Sequence, residues 1–165
     1  MTTRTLIASI LLWYNVVSTS VWFGGTIYQM LVIVPLWSAS PPESVRTFFR
    51  GTRYVRTIRH FFGPTARALR VVPLIVGLIA GWHLTAHRVW LLVPVVCVAI
   101  SVIMTLAYIY PINAVLVDQA GGNLSDTEIQ GLARRWIIAD RVRLGIMSVG
   151  FFSLLHALTI PFPRA

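Results

Sequence analysis

Four long apolar runs dominate the chain, at about residues 6–37, 66–87, 89–110 and 134–160. A helix crosses a hydrocarbon core with roughly 20 apolar residues, so each run has the length of a membrane span. The first run is not uniform. Asn15, Ser18 or Thr19, Trp22, Gly25 or Thr26, and Gln29 recur every three to four positions and form one polar stripe down a helix. In lipid such a stripe turns toward other helices, where its groups find hydrogen-bond partners.

Pro35 closes the first run. Ser40-Pro41-Pro42-Glu43 then reads as a capping box with proline at the first helical position. From about residue 41 to 62, Arg46, Arg50, Arg53 and Arg56 fall at spacings of three and four among Val45, Phe48, Phe49, Tyr54, Ile58 and Phe61. That pattern predicts an amphipathic helix lying in the headgroup region. Gly63-Pro64 breaks it. In the second run Pro73, Gly77 and Gly81 permit close helix contact, and His83 and His87 follow at i and i+4. The third run is uniformly apolar until YIYPINAVLVDQ, where Pro111 is expected to kink the helix and Asn113 offers a donor and an acceptor. Ser125 with Glu128 reads as a second capping box, opening the long final helix.

The pattern therefore predicts an all-α fold: one integral membrane domain over residues 1–165, a four-helix bundle with a cytoplasmic interfacial amphipathic helix. Composition agrees. Of the 165 residues 56% are apolar and only 12% charged, against about a quarter charged in soluble domains, and the mean hydropathy is +0.75. The net charge of +9 would suggest nucleic acid in a soluble protein. Here the basic residues border apolar runs, so lipid headgroups and topology account for them and no nucleic-acid partner is expected. Eleven of the 14 basic residues lie in or beside the two long links, and only Arg4, Arg88 and Arg164 lie on the other side. Positive charge stays in the cytoplasm, which puts the long links there, both termini outside, and the protein in a bacterial inner membrane.

All the basic residues are arginine, which excludes a lysine Schiff base and a phosphate-loop lysine. The single cysteine, Cys97, excludes an intramolecular disulfide and a cysteine metal cluster.

The stretch ARRWIIADRVRLGIMSVGFFSLLH carries the sharpest chemistry. Trp136, Asp140, Arg143 and Met147 share one helix face, with Arg134 and Arg141 roughly opposite. An ionisable pair in a span is costly unless it faces protein or water, and Asp140 with Arg143 reads either as a salt bridge fixing the depth of the helix end or as part of a polar pocket at one membrane face. Sorted by depth, the polar residues fall into two layers. The inner holds Gln29, Asn113, Trp136, Asp140 and Arg143, with His60 contributed by the amphipathic segment. It offers a carboxylate base, a guanidinium for an anion, two amides for a carbonyl and an indole for stacking. The outer layer holds Asn15, His83, His87 and His156, whose imidazoles suit a transition metal or haem. No carboxylate accompanies them to orient the rings. The inner layer is the more complete site.

At WFGGTIYQMLVIVPLWSASPPES, YPINAVL and RRWIIADRVR the chain resembles the anthrone-oxygenase-like family of small four-span membrane proteins. The resemblance covers most of the chain as an ordered set of loose patterns. It implies oxidation of an apolar phenolic or ketonic substrate by molecular oxygen, with no bound cofactor. By position it implies catalytic roles for Asp140, Arg143 and Asn113 and substrate contacts from Gln29 and Trp136. The family pattern commonly carries asparagine where this chain has Asp140, which leaves Arg143 as the steadier functional residue. The alternative is a non-enzymatic membrane subunit binding haem, a metal or a quinone through His83, His87 and His156. The partners expected are the bilayer, an apolar small molecule, and further copies or a larger membrane complex.

Overall fold

In the computed structural model, which describes residues 2–51, 61–120 and 122–163, the chain forms helices and no strand among those residues. They are α1 (Thr3–Ser38), α2 (Glu43–Gly51), α3 (Pro64–Gly81), α4 (Arg88–Leu116) and α5 (Asp126–Thr159). All but α2 are long and apolar enough to cross a membrane. Their contacts group the chain into two compact units. Unit A is Met1–Gly24, Pro64–Ser101 and Gly145–Ala165; unit B is Gly25–Gly63 and Val102–Leu144.

Prolines inside these helices are accommodated in two different ways. A proline lacks the N–H that should bond the carbonyl four residues back, so that carbonyl is orphaned. In unit A the neighbouring helix supplies the missing donor. Pro73 orphans the Leu69 carbonyl, which the Tyr14 hydroxyl of α1 reaches at 2.9 Å. Pro94 orphans the Trp90 carbonyl, which the buried Ser153 hydroxyl of α5 reaches at 3.0 Å. In unit B the helix rearranges instead. Gln29–Ile33 before Pro35 and Thr105–Ile109 before Pro111 each form a π-turn, in which Val34 N–H bonds Gln29 O and Tyr110 N–H bonds Thr105 O. The next N–H in that register would be the proline's own, so the carbonyls of Met30 and Leu106 lose their ladder donor. The expected kink at Pro111 is thus an over-wide turn placed ahead of it, and the helix continues to Leu116.

Ser153→Ala tests this account. It leaves a buried carbonyl without a donor and should lower stability by about 1–3 kcal/mol. Tyr14→Phe, which strips the Leu69 carbonyl of its donor inside a span, should lower stability in the same way. Denaturation midpoints of the purified variants measure both.

The small residues of α3 do what their spacing suggests. A Cβ on Gly77 would meet Asn15 Nδ2 at 2.9 Å, and one on Gly81 would meet Leu91 Cδ1 at 2.6 Å. Asn15 uses the space at Gly77 to donate to the Pro73 carbonyl at 3.0 Å. The polar stripe of α1 is largely internal: Asn15, Thr19 and Thr26 are buried and Trp22 and Gln29 are half-buried. Trp22 lies under the Arg70 guanidinium at 4.2 Å.

Three sequence expectations need correction. The second apolar run does not stay helical to His87. α3 ends at Gly81, and residues 82–87 make successive tight turns through Leu84 N–H to Gly81 O and His87 N–H to Leu84 O, both 2.9 Å. The chain must reverse before α4 begins, and it uses these residues to do so.

The box before α2 is closed by Ser44 rather than Glu43. The Ser44 hydroxyl accepts from Ser40 N–H and donates to Trp37 O, fixing the turn from both sides. At α5 the expected pair does form, with Ser125 N–H donating to Glu128 Oε2 at 2.9 Å.

Finally, α2 turns apolar side chains toward protein. Val45 and Phe49 are buried in one cluster with Trp37, Ile129, Ala133 and Trp136, and Arg46 pairs with Asp126 at 3.3 Å. Periodicity identifies an apolar face but not what covers it.

Candidate functional site

The polar residues of unit B converge because α5 repeats buried positions at helical spacing: Ile129, Ala133, Trp136, Asp140 and Arg143 are buried while Arg134, Arg135, Ile138, Arg141 and Val142 are exposed. Among the described residues no other ion pair has both charges in the interior. Asp140 is 0% exposed and Arg143 7%. They sit one turn apart and form a direct ion pair, Arg143 Nη2 to Asp140 Oδ1. Apart from that pair neither Asp140 oxygen accepts a hydrogen bond, and Arg143 Nε donates none. Buried polar groups are nearly always satisfied, so acceptor and donor capacity left unspent here is unusual.

Arg143 is also held by a residue the sequence reading missed. Its Nη1 donates to the Thr105 hydroxyl at 3.2 Å. Thr105 opens the π-turn of α4, six residues before Pro111, as Gln29 opens that of α1 six residues before Pro35. That matched spacing is the signal that would have found it.

One turn earlier on α5, Trp136 Nε1 donates to Asn113 Oδ1 at 2.7 Å. The edge of one of the Trp136 and Trp37 rings meets the face of the other, with centroids 5.3 Å apart, and Trp136 is buried in the apolar cluster. Both its hydrogen-bond donor and its surroundings are therefore committed to the fold. Asn113 retains its amide N–H₂ for further contacts. Gln29 is half-buried, and no hydrogen bond joins its side chain to this group. His60 lies outside the described residues. Two bonded groups result on this face of α5, Asp140 with Arg143 and Thr105, and Trp136 with Asn113.

The histidines of unit A are not gathered. His83 spends both nitrogens, Nδ1 with Ala80 O at 2.9 Å and Nε2 with Thr5 Oγ1 at 3.2 Å. His87 is buried with its ring stacked on Phe162, and His156 packs on Trp90 at 4.1 Å. Among the described residues no three His, Cys, Asp or Glu side chains come close enough to hold one metal ion. The expectation that His83 and His87 share a helix face fails because the chain turns between Gly81 and Arg88. Asn15 belongs with Pro73 rather than with these imidazoles, some ten residues along α1 from Thr5, or about 15 Å.

No family model matches the chain, nor does any curated protein or solved structure.

Proposed function

We propose that this chain is an integral membrane protein, four spans with α2 at the cytoplasmic face, whose buried Asp140–Arg143 pair forms the polar end of a site for an apolar phenolic or ketonic substrate. Membrane residence is supported by an outward surface that is apolar on every long helix: Leu31 is 73% exposed, Ile79 62%, Ile103 64% and Phe152 60%. Apolar area so continuous is costly in water and costs nothing in hydrocarbon. Single cysteines in a Cys97→Ala background test the topology. Glu43→Cys and Asn123→Cys should react with an impermeant maleimide from one side and Ala86→Cys from the other. Reaction of all three from one side would refute four spans.

The chemical reading is oxygenation. A single observation carries the site: a fully buried carboxylate whose oxygens accept no hydrogen bond beyond the Arg143 pair, beside a guanidinium with an unspent N–H. A substrate with an activated CH₂ between aromatic rings would give a proton to Asp140, and Arg143 would stabilise the enolate or phenolate left behind. That electron-rich carbon then reduces dioxygen. One oxygen atom ends in the new carbonyl, and the other leaves as water with the two hydrogens of the CH₂. This reading calls for no resident cofactor and rests, for the identity of the reaction, on the resemblance of the three quoted segments.

Oxygen uptake by the purified protein with anthrone as substrate tests it. One O₂ per carbonyl formed, at a rate proportional to protein, is the expected result. Uptake no faster than uncatalysed autoxidation would rule the reaction out.

A further inference from the structure

Unit A contains Arg4, Arg67, Arg70, Arg88, Arg164 and three histidines but no acidic residue: Glu43, Asp118, Asp126, Glu128 and Asp140 all belong to unit B. One of those histidines is deeply buried. His87 closes the turn before α4 and is 1% exposed, with its backbone fixed by His87 N–H to Leu84 O and Leu91 N–H to His87 O, both 2.9 Å. Its ring is covered by the segment that follows α5, where Phe162 stacks on it at 4.6 Å with the planes 29° apart. Neither ring nitrogen makes a hydrogen bond of good geometry.

The covering segment is weakly tied down. Among the described residues beyond Thr159 the backbone makes one turn-like bond, Ile160 N–H to Ala157 O at 3.4 Å, and Ile160 also meets the His87 ring. Pro161 and Pro163 cannot donate any, and both are exposed. Phe162 anchors it, stacked on His87 and packed against the apolar cluster that holds Leu91, Leu154 and Ala157.

Among the described residues of unit A no acidic side chain is present to pair with a proton on His87, whose one acceptor is the Ile160 backbone. Of the other titratable groups of unit A, Arg4 of α1 is bonded to the Ile79 and Ala80 carbonyls, and His83 lies in the same turn as His87. From α4 comes Arg88, bonded to Trp82 O, and from α5 comes His156 against Trp90. All are cations or imidazoles; residues 164 and 165 lie outside the described residues. An imidazolium boxed in apolar surroundings among like charges is unfavourable, and it regains water only if the cover lifts.

We propose that the segment Ile160–Pro163 is a proton-released clasp over His87, closed on the neutral ring and open on the charged one. The sign follows from burial. Desolvation holds the imidazole below its ordinary value, opposed in part by the Ile160 backbone. The open form therefore binds the proton more tightly than the closed form. Above about pH 6.5 the clasp is fully closed. Below that the open-to-closed ratio rises, up to roughly tenfold per pH unit, until the closed form also protonates. The device is independent of the chemistry assigned to Asp140 and Arg143.

A spin label on Pro163→Cys in the Cys97→Ala background reads the clasp directly, because its line shape reports mobility and has no pH dependence of its own. The label should be immobilised at about pH 8 and become mobile as the pH falls toward about 5. In His87→Phe, which keeps the stack and cannot be protonated, it should stay immobilised throughout. In Phe162→Ala, which removes the stack from a half-buried residue beyond the end of α5, it should be mobile at both extremes. A label equally immobile at both pH values in the parent background would overturn the proposal. So would a His87→Phe variant that loosens like the parent, or a Phe162→Ala variant that stays immobile at high pH. Should His87→Phe fail to fold, the parent and Phe162→Ala profiles still decide the question.

Discussion

Arg143→Gln should lower oxygen-dependent turnover about a hundredfold, the effect of losing roughly 3 kcal/mol of charge stabilisation in the transition state. Glutamine keeps a donor but carries no positive charge to hold an enolate or phenolate. The control is Arg141→Gln, two residues away but exposed on the far side of α5, which should leave turnover intact. Rates must be taken per folded molecule, because the substitution also strips Asp140 of its counter-ion. Adding Asp140→Asn to Arg143→Gln tests the stability effect alone: a neutral amide pair needs no counter-ion, so stability should recover, while turnover stays low because the base is lost too. If turnover per folded molecule is unchanged in Arg143→Gln, Arg143 serves the fold alone.

The larger stability effect belongs to Asp140. Asp140→Leu leaves the Arg143 guanidinium buried at 7% exposure with only the Thr105 hydroxyl as a described partner, and should cost about 3–5 kcal/mol. Replacing both residues, Asp140→Leu with Arg143→Met, removes the buried charges together. Such exchanges are often neutral or stabilising by about 1–4 kcal/mol, because desolvating two ions costs more than their attraction returns. The double variant should thus melt at or above the parent temperature and have no oxygenase activity. A double variant as unstable as Asp140→Leu would show that the pair holds the helices together and would remove the main argument for a site kept at the expense of stability.

Thr105 and Pro111 connect these residues to the backbone. The hydroxyl that meets Arg143 comes from the first residue of a π-turn, and such turns cluster at functional sites because they reorient one side chain without ending the helix. Unit A meets the same backbone problem at Pro73 and Pro94 with hydroxyls from neighbouring helices and keeps a regular α-helix there. The contrast places the irregular backbone in the unit that holds the buried ion pair.

The long helices, the internal polar stripe of α1 and the buried face of α5 were legible in the sequence, because run length and a 3.6-residue period are properties of one helix at a time. What covers a face was not. Val45 and Phe49 carry an amphipathic pattern that suits lipid as well as protein, and only tertiary packing put them against Trp37. Hydrogen-bond commitment was equally hidden: the Trp136 indole, read as a stacking surface, is held by Asn113 and Trp37. The histidines show the limit most clearly. Their i, i+4 spacing has meaning only if the helix continues, and whether it continues past Gly81 depends on where α4 must begin. Local periodicity fixes which residues of one helix share a face. Which faces meet, and which polar groups are used up when they do, is decided by contacts between residues distant in sequence.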